Sequence, residues 1–337
     1  INFVNFAVKN KNMPKILITG GAGFIGSHLC ERLLKERHKV DVIDDLSTGN
    51  IANLRNCMGN EKFKFYNDSV INEKMMYTLI DKSDIIYHLA AAVGVQLIVD
   101  QPVRTIVTNI KGTEVVLEIA KKFQKKVLIA STSEIYGKSE SFPFKEDGDT
   151  VLGSTTYSRW SYACSKAIDE FLGLAYHRQF GLPVIIVRFF NTVGERQTGQ
   201  YGMVIPRFVK AALSGEPLNI YGNGKQSRCF ANVLDIIDGM TALVNDSASY
   251  GNVYNIGSTE EISIEDLAVK VKEMTGSSSE IKYIPYEEAY GQPFDDMNRR
   301  IPCLERIQQQ VGYKPKISLD ETLKRIIDYF REEIMRK

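Results

Sequence analysis

The apolar run Ile16-Leu17-Ile18-Thr19 breaks into glycines at 20, 21, 23 and 26 and continues through Phe24-Ile25-Gly26-Ser27-His28-Leu29 with helical patterning. A strand that turns through glycines directly into a helix brings backbone N–H groups close to a ligand. It also aims the positive end of the helix dipole at that ligand, an arrangement suited to a pyrophosphate. Glycines mark ordinary tight turns as well, so context decides. The next apolar strand, Lys39-Val40-Asp41-Val42-Ile43, ends at Asp44, where an acid meets the adenosine ribose 2′-hydroxyl of a dinucleotide. The segment Asp44-Asp45-Leu46-Ser47-Thr48-Gly49 holds no Arg or Lys to receive a 2′-phosphate, which favours NAD over NADP.

The alternation continues beyond this unit. Strand-type runs at 15–19, 39–43, 62–66, 84–89, 126–131 and 183–189 are separated by helix-type segments at 24–37, 72–81, 103–123 and 161–180. This pattern predicts an α/β fold, a Rossmann-type doubly wound parallel sheet. After residue 190 the pattern loosens among glycines, then shows a strand at 252–256, a helix at 263–275 and an amphipathic helix from Leu319 to Arg336. We expect an NAD-binding domain over 13–190, with part of 227–256 returning to it, and a smaller substrate-binding lobe over 191–337. The long helices 103–123 and 161–180 carry apolar faces that suit either packing within the chain or pairing with a second copy in a homodimer.

Forty-two Lys and Arg against 41 Asp and Glu leave no field to attract nucleic acid or a membrane surface. The five cysteines are scattered without a C-x-x-C pair, as expected of small buried hydrophobes in a reducing, cytoplasmic compartment. No apolar run reaches membrane-spanning length, no secretory signal is expected, and no metal-ligand spacing is present. Met13-Pro14-Lys15 reads as a natural start, with residues 1–12 as a leader outside the fold.

Two segments carry the chemistry. Tyr162-Ala163-Cys164-Ser165-Lys166 places a phenol and an ammonium four residues apart on one helix face, where the cation is expected to lower the phenol's pKa and make it a base. The spacing recurs in Tyr221-Gly222-Asn223-Gly224-Lys225, but glycine-rich turns do not hold such a pair on a helix, so that copy is assigned to structure. Upstream, the strand Val127 to Ser131 ends in Thr132-Ser133-Glu134, which an open α/β sheet places beside the bound ligand. The bland reading is that the hydroxyls cap the following turn and that Glu134 is solvated.

With these residues in order, the chain resembles the extended short-chain dehydrogenase/reductase family, specifically its NAD-dependent nucleotide-sugar epimerases, dehydratases and decarboxylases. The resemblance rests on Thr19-Gly20-Gly21-Ala22-Gly23-Phe24-Ile25-Gly26, His88-Leu89-Ala90-Ala91, Asn109-x-x-Gly112-Thr113, Thr132-Ser133-Glu134-x-Tyr136-Gly137, Tyr162-x-x-x-Lys166 and Arg188-x-x-Asn191. It implies NAD contacts from Gly20, Gly23, Phe24, Ile25, Gly26, Asp44, Thr48, Gly49, Asp68, Ser69, Leu89, Ala90, Thr108, Tyr162 and Lys166. It further implies sugar-nucleotide contacts from Asn191, Tyr221 and Arg228.

A carboxylate at Glu134 resembles enzymes that act beyond the sugar C4. The runs Arg159-Trp160-Ser161-Tyr162 and Phe294-Asp295-Asp296-Met297-Asn298-Arg299-Arg300-Ile301-Pro302 are similar to those of UDP-glucuronate decarboxylases, in which Arg300 would face the sugar carboxylate. Thr198-Gly199-Gln200-Tyr201-Gly202-Met203 is instead similar to the epimerase group, and Arg299 and Arg300 have the bland alternative of surface charges. The resemblance thus implies Thr132, Ser133, Glu134, Tyr162, Lys166 and Arg300 as catalytic residues for oxidative decarboxylation of UDP-glucuronate. A UDP-sugar or UDP-uronate 4-epimerase, a 4,6-dehydratase and a noncatalytic NAD-sensing scaffold are the alternatives, in that order.

Overall fold

A computed structural model describes residues 13–92, 101–199, 203–290 and 297–336. The leader 1–12 and the stretches Gln200-Tyr201-Gly202 and Phe294-Asp295-Asp296 lie outside these ranges. Six strands, β1 (Lys15–Thr19), β2 (Lys39–Asp44), β3 (Phe63–Asn67), β4 (Ile85–His88), β5 (Lys126–Thr132) and β6 (Val184–Phe189), are joined by a seventh, Asn252–Ile256. They form one parallel sheet, ordered from Asn252–Ile256 through β6, β5, β4, β1 and β2 to β3. The reversal of strand order between β1 and β4 opens a crevice at the carboxyl edge, the ligand position in such sheets.

The strand-type runs predicted this sheet to within a residue at each strand end. They read as continuous apolar stretches because helices cover both faces. Ile16, Ile18, Val40 and Val42 belong to one core, whereas Leu17, Ile43, Ile86 and Ile129 belong to the other, following the two-residue period of a strand. Helix Phe24–Lys35 stops short of the expected 37, where Arg37 takes a left-handed backbone at φ 68°. Helix Val233–Asn245 shares the first core with helix Phe24–Lys35 and leads into the seventh strand. A separate core gathers Phe208, Val209, Leu267, Val271, Leu323 and Ile327 from helices Val204–Ser214, Ile264–Thr275 and Leu319–Met335. Among the described residues, no helix is long and apolar enough to cross a membrane.

Behind the carboxyl edge lies a buried polar network. Arg188 on β6 donates to Glu170 Oε2 at 2.7 Å, to the Tyr136 hydroxyl at 2.8 Å and to the Glu146 carbonyl at 2.9 Å. The Tyr136 hydroxyl in turn donates to Asn255 Oδ1 at 2.7 Å. The Asn255 amide donates to the Phe144 and Cys303 carbonyls, and Phe144 N–H donates to the Ile301 carbonyl. The network thereby ties the end of β5 to the segment that carries Arg300.

Removing one partner of a buried ion pair leaves an uncompensated charge, so Arg188→Met should destabilise the protein by about 3–5 kcal/mol. Adding Glu170→Gln should recover part of that loss. Urea titration of the three proteins checks this, and a loss below about 1 kcal/mol would contradict it.

Candidate active site

A cleft of about 670 Å³ runs along the carboxyl edge and is closed on one side by the C-terminal lobe. Gly20 starts its floor at φ 70°, and a Cβ there would sit 2.7 Å from Ala90 N, so only glycine fits both the turn and the close approach to the end of β4. Helix Phe24–Lys35 has no acidic residue in its first turn and no side-chain cap, leaving N–H groups for an anionic ligand. Asp44 at the end of β2 accepts from Ala22 N–H at 2.9 Å and from Leu46 N–H at 2.8 Å, which fixes its carboxylate at the cleft wall. Burial raises its pKa, opposed by these hydrogen bonds.

Of the residues expected to contact a cofactor, Gly20, Gly23, Phe24, Ile25, Gly26, Asp44, Thr48, Ser69, Leu89, Ala90, Thr108, Tyr162 and Lys166 line this cleft. Gly49 and Asp68 do not. Gly49 backs the Asp44 carboxylate, where a Cβ would lie 2.8 Å from Oδ1. Asp68 spends its oxygens on Ser69 N–H and the Asn72 amide, a local cap ahead of helix Glu73–Asp81. No group of three His, Cys, Asp or Glu among the described residues is placed to hold a metal ion.

At the end of β5 the Thr132 hydroxyl accepts from Glu134 N–H at 3.2 Å and also hydrogen-bonds the Tyr162 phenol. Thr132 therefore caps its turn and meets the phenol at once. Glu134 is not solvated: it is 9% exposed and pairs with Arg300 Nη2 at 2.6 Å. Arg300 is equally buried, whereas its neighbour Arg299 is an exposed charge on Glu261. Thr132, Ser133, Glu134, Tyr162, Lys166 and Arg300 all line the cleft.

The expected effect of Lys166 on the phenol needs correction. Burial pushes the Tyr162 pKa well above its ordinary value, and Glu134 adds to the rise. The Thr132 hydrogen bond opposes it, Asp169 raises it further, and Arg300 lowers it. The Lys166 ammonium is bound to Asp169 Oδ2 at 2.9 Å. Asp169, three residues on and fully buried, went unnoticed in the sequence. Its signal was an acid following the Tyr-x-x-x-Lys pair on the same helix face.

The buried His88 completes the arrangement. Its Nε2 hydrogen-bonds the Thr113 hydroxyl at 3.2 Å and its Nδ1 the Thr19 hydroxyl at 2.8 Å, and the Thr19 hydroxyl also accepts from Ala90 N–H. Burial, with the nearby Lys166 charge, pushes the His88 pKa down to about 3.

In the C-terminal lobe Asn191, Tyr221 and Arg228 line the same cleft. Arg207 stacks on the Tyr221 ring at 4.0 Å from its centroid. Arg228 is steadied by the Ser227 and Asn298 carbonyls. Asn191 donates to the Cys229 carbonyl, so part of its amide serves the fold. Lys225, by contrast, is exposed and paired with Glu265, away from any phenol base.

The His88 shift has a measurable consequence. Between the unfolded value of 6.5 and about 3, the unfolded chain binds a proton that the folded chain refuses. Stability should therefore fall as pH drops through that window, by up to about 1.4 kcal/mol per unit from this group. His88→Asn should flatten the slope in urea titrations across pH, and equal slopes for the two proteins would contradict this.

Comparisons with known proteins place the chain. The GDP-mannose 4,6 dehydratase family model matches residues 17–326. A UDP-N-acetyl-alpha-D-glucosaminuronate decarboxylase of Bacillus cytotoxicus is 41% identical over 94% of this chain and 98% of that protein. UDP-glucuronic acid decarboxylase 1 of Xenopus tropicalis is 36% identical over 97% of this chain and 74% of that protein. Among solved structures, UDP-glucuronic acid 4-epimerase from Bacillus cereus, in complex with UDP-glucuronic acid and NAD, superposes with a TM-score of 0.84. It is 30% identical, covering 95% of this chain and 99% of that one. On the extent of these matches, the chain belongs to the GDP-mannose 4,6 dehydratase family of extended short-chain dehydrogenases/reductases.

Proposed function

We propose that this protein is an NAD-dependent decarboxylase of UDP-hexuronates, with UDP-glucuronate and its 2-acetamido counterpart as the candidate substrates. The observation that carries the reading is the Glu134–Arg300 pair, buried at 2.6 Å in the wall that also holds Tyr162 and Thr132. A buried guanidinium offers charge-assisted hydrogen bonds to a carboxylate, whereas a neutral hexose brings hydroxyls but no counter-charge. The relatives named as decarboxylases of carboxylated UDP-sugars support the same choice.

The glycine turn, the uncapped helix start and Asp44 fit a dinucleotide, and the absence of basic residues over 44–49 fits NAD. When bound there, NAD supplies the acceptor for the C4 hydride. Tyr162 takes the O4 proton, with Thr132 holding the phenol oxygen in place. Arg300 orients the uronate carboxylate. The 4-keto uronate is a β-keto acid, so the carboxylate leaves as CO₂ and its electrons pass into the ketone. Glu134, held against Arg300, serves in this reading as the group that exchanges the C5 proton. Asn191, Tyr221 and Arg228 hold the UDP portion.

The apolar residues that stay exposed on helices Pro102–Phe123 and Ser161–Phe180 favour a homodimer through these two helices. Val103 is 74% and Phe171 70% exposed, more than a monomer gains by showing. Residues 13–190, with helix Val233–Asn245 and the strand Asn252–Ile256 from the stretch 227–256, serve as the NAD domain, and the remainder of 191–337 as mainly the substrate lobe.

Three outcomes check this reading. Tyr162→Phe should lower turnover by about 10²–10⁴-fold with NAD binding retained, measured by chromatography of the product nucleotide sugar. Arg300→Ala should abolish turnover of the uronate while leaving UDP affinity within about tenfold. A parent enzyme that prefers UDP-glucose, unaffected by Arg300→Ala, would overturn the decarboxylase in favour of a 4-epimerase. Phe171→Glu should convert a dimer to a monomer in analytical ultracentrifugation, and an unchanged sedimentation coefficient would contradict the helix pairing.

A further inference from the structure

Lys166 faces the cleft, but what holds it lies behind the cleft wall. Lys166 lines the cavity, whereas Asp169, Thr113 and His88 do not. Asp169 is 0% exposed and Lys166 2% exposed, and their side chains meet at 2.9 Å. A charge pair this deep keeps one geometry, because separating it leaves two unsolvated ions. Thr113 from helix Pro102–Phe123 helps to hold down the pKa of the same carboxylate, and His88 from β4 hydrogen-bonds Thr113 at 3.2 Å. The Thr19 hydroxyl joins His88 to Ala90 N–H, beside Gly20 in the cofactor turn. Among the described residues, Lys166 is the ion-pair partner of this carboxylate.

We propose that Asp169 is a positioning residue: its buried carboxylate fixes the Lys166 ammonium at the cleft wall and offsets part of its field, so that Asp169 helps to set the pH at which Tyr162 acts as a base. This rests on the reading of Tyr162 as the base. The groups facing Tyr162 are Thr132 and Glu134 after β5, Arg300 from the C-terminal segment, and Lys166 and Asp169 on its own helix. Those facing Asp169 are Lys166 and Glu170 on that helix and Thr113 from the neighbouring one. Of the two carboxylates acting on the phenol, Glu134 is already matched by Arg300. Asp169 is the one whose neutralisation releases a cation toward the phenol.

The sign follows. Neutralising Asp169 removes an anion that favours the protonated phenol and frees the Lys166 charge, and both changes make the tyrosinate easier to form. The acid limb of the kcat–pH profile of Asp169→Asn should therefore move down by about one pH unit relative to the parent. Asp169→Glu should stay close to the parent limb. A purely structural role predicts a uniform loss at every pH with the limb unmoved.

The experiment is the kcat–pH profile of the parent, Asp169→Asn and Asp169→Glu with UDP-glucuronate and NAD⁺, each checked for an intact melting transition. Asp169→Ser stands in if the asparagine variant does not fold. An unmoved limb in a folded neutral variant overturns the proposal, as does failure of both neutral variants to fold, which would mark the pair as structural. Tyr162→Phe is assayed alongside. Full activity there defeats the base assignment itself, whereas an inactive Tyr162→Phe with an unmoved Asp169→Asn limb defeats only the role of Asp169.

Discussion

Charges removed from water must find partners, and this constraint shapes the carboxyl edge of the sheet. Three ion pairs are buried there: Glu134–Arg300, Lys166–Asp169 and Glu170–Arg188. Each joins parts of the chain that the parallel sheet alone leaves independent or fixes a helical side chain in one rotamer. Glu170–Arg188 links helix Ser161–Phe180 to β6, and through Tyr136 and Asn255 it reaches the segment before Cys303. That segment delivers Arg300 to Glu134. The position of Arg300 thus depends on a polar network that lies behind the cleft lining and joins it at Ser131, whose hydroxyl donates to Glu170 Oε1.

The same constraint explains the electrostatic character of the site. A phenol buried beside Glu134 and Asp169 resists ionisation. The Lys166 ammonium is fixed but partly neutralised, and His88 is kept uncharged between two threonines. A site built this way responds strongly to any cation or carboxylate that enters it, because little water remains to screen the change.

Sequence reading recovered the fold because local signals agreed with it. Buried strands read as apolar runs, and the glycine turn after β1 has a steric requirement that Ala90 enforces. The residues that line the cleft were legible where a motif marked them, at Thr132, Glu134, Tyr162 and Lys166. What was not legible depends on tertiary partners. Asp169 looks like any helical acid until its burial is known. Arg300 and Arg299 are adjacent and chemically identical, yet one is buried on Glu134 and the other exposed on Glu261. Asp68 matched a motif position, and its carboxylate accepts from the amide of Asn72, the residue that caps the next helix. Asn255 N–H meets the Glu146 carboxylate across 109 residues of chain, a separation that no sequence window spans.

The central claim is that this cleft recognises a sugar carboxylate in order to expel it. The most direct test follows a carboxyl-labelled UDP-hexuronate incubated with the protein and NAD⁺. The account predicts label appearing in trapped CO₂, in step with loss of the substrate. Label retained quantitatively in a nucleotide sugar of inverted C4 configuration would contradict it and assign the cleft to epimerisation.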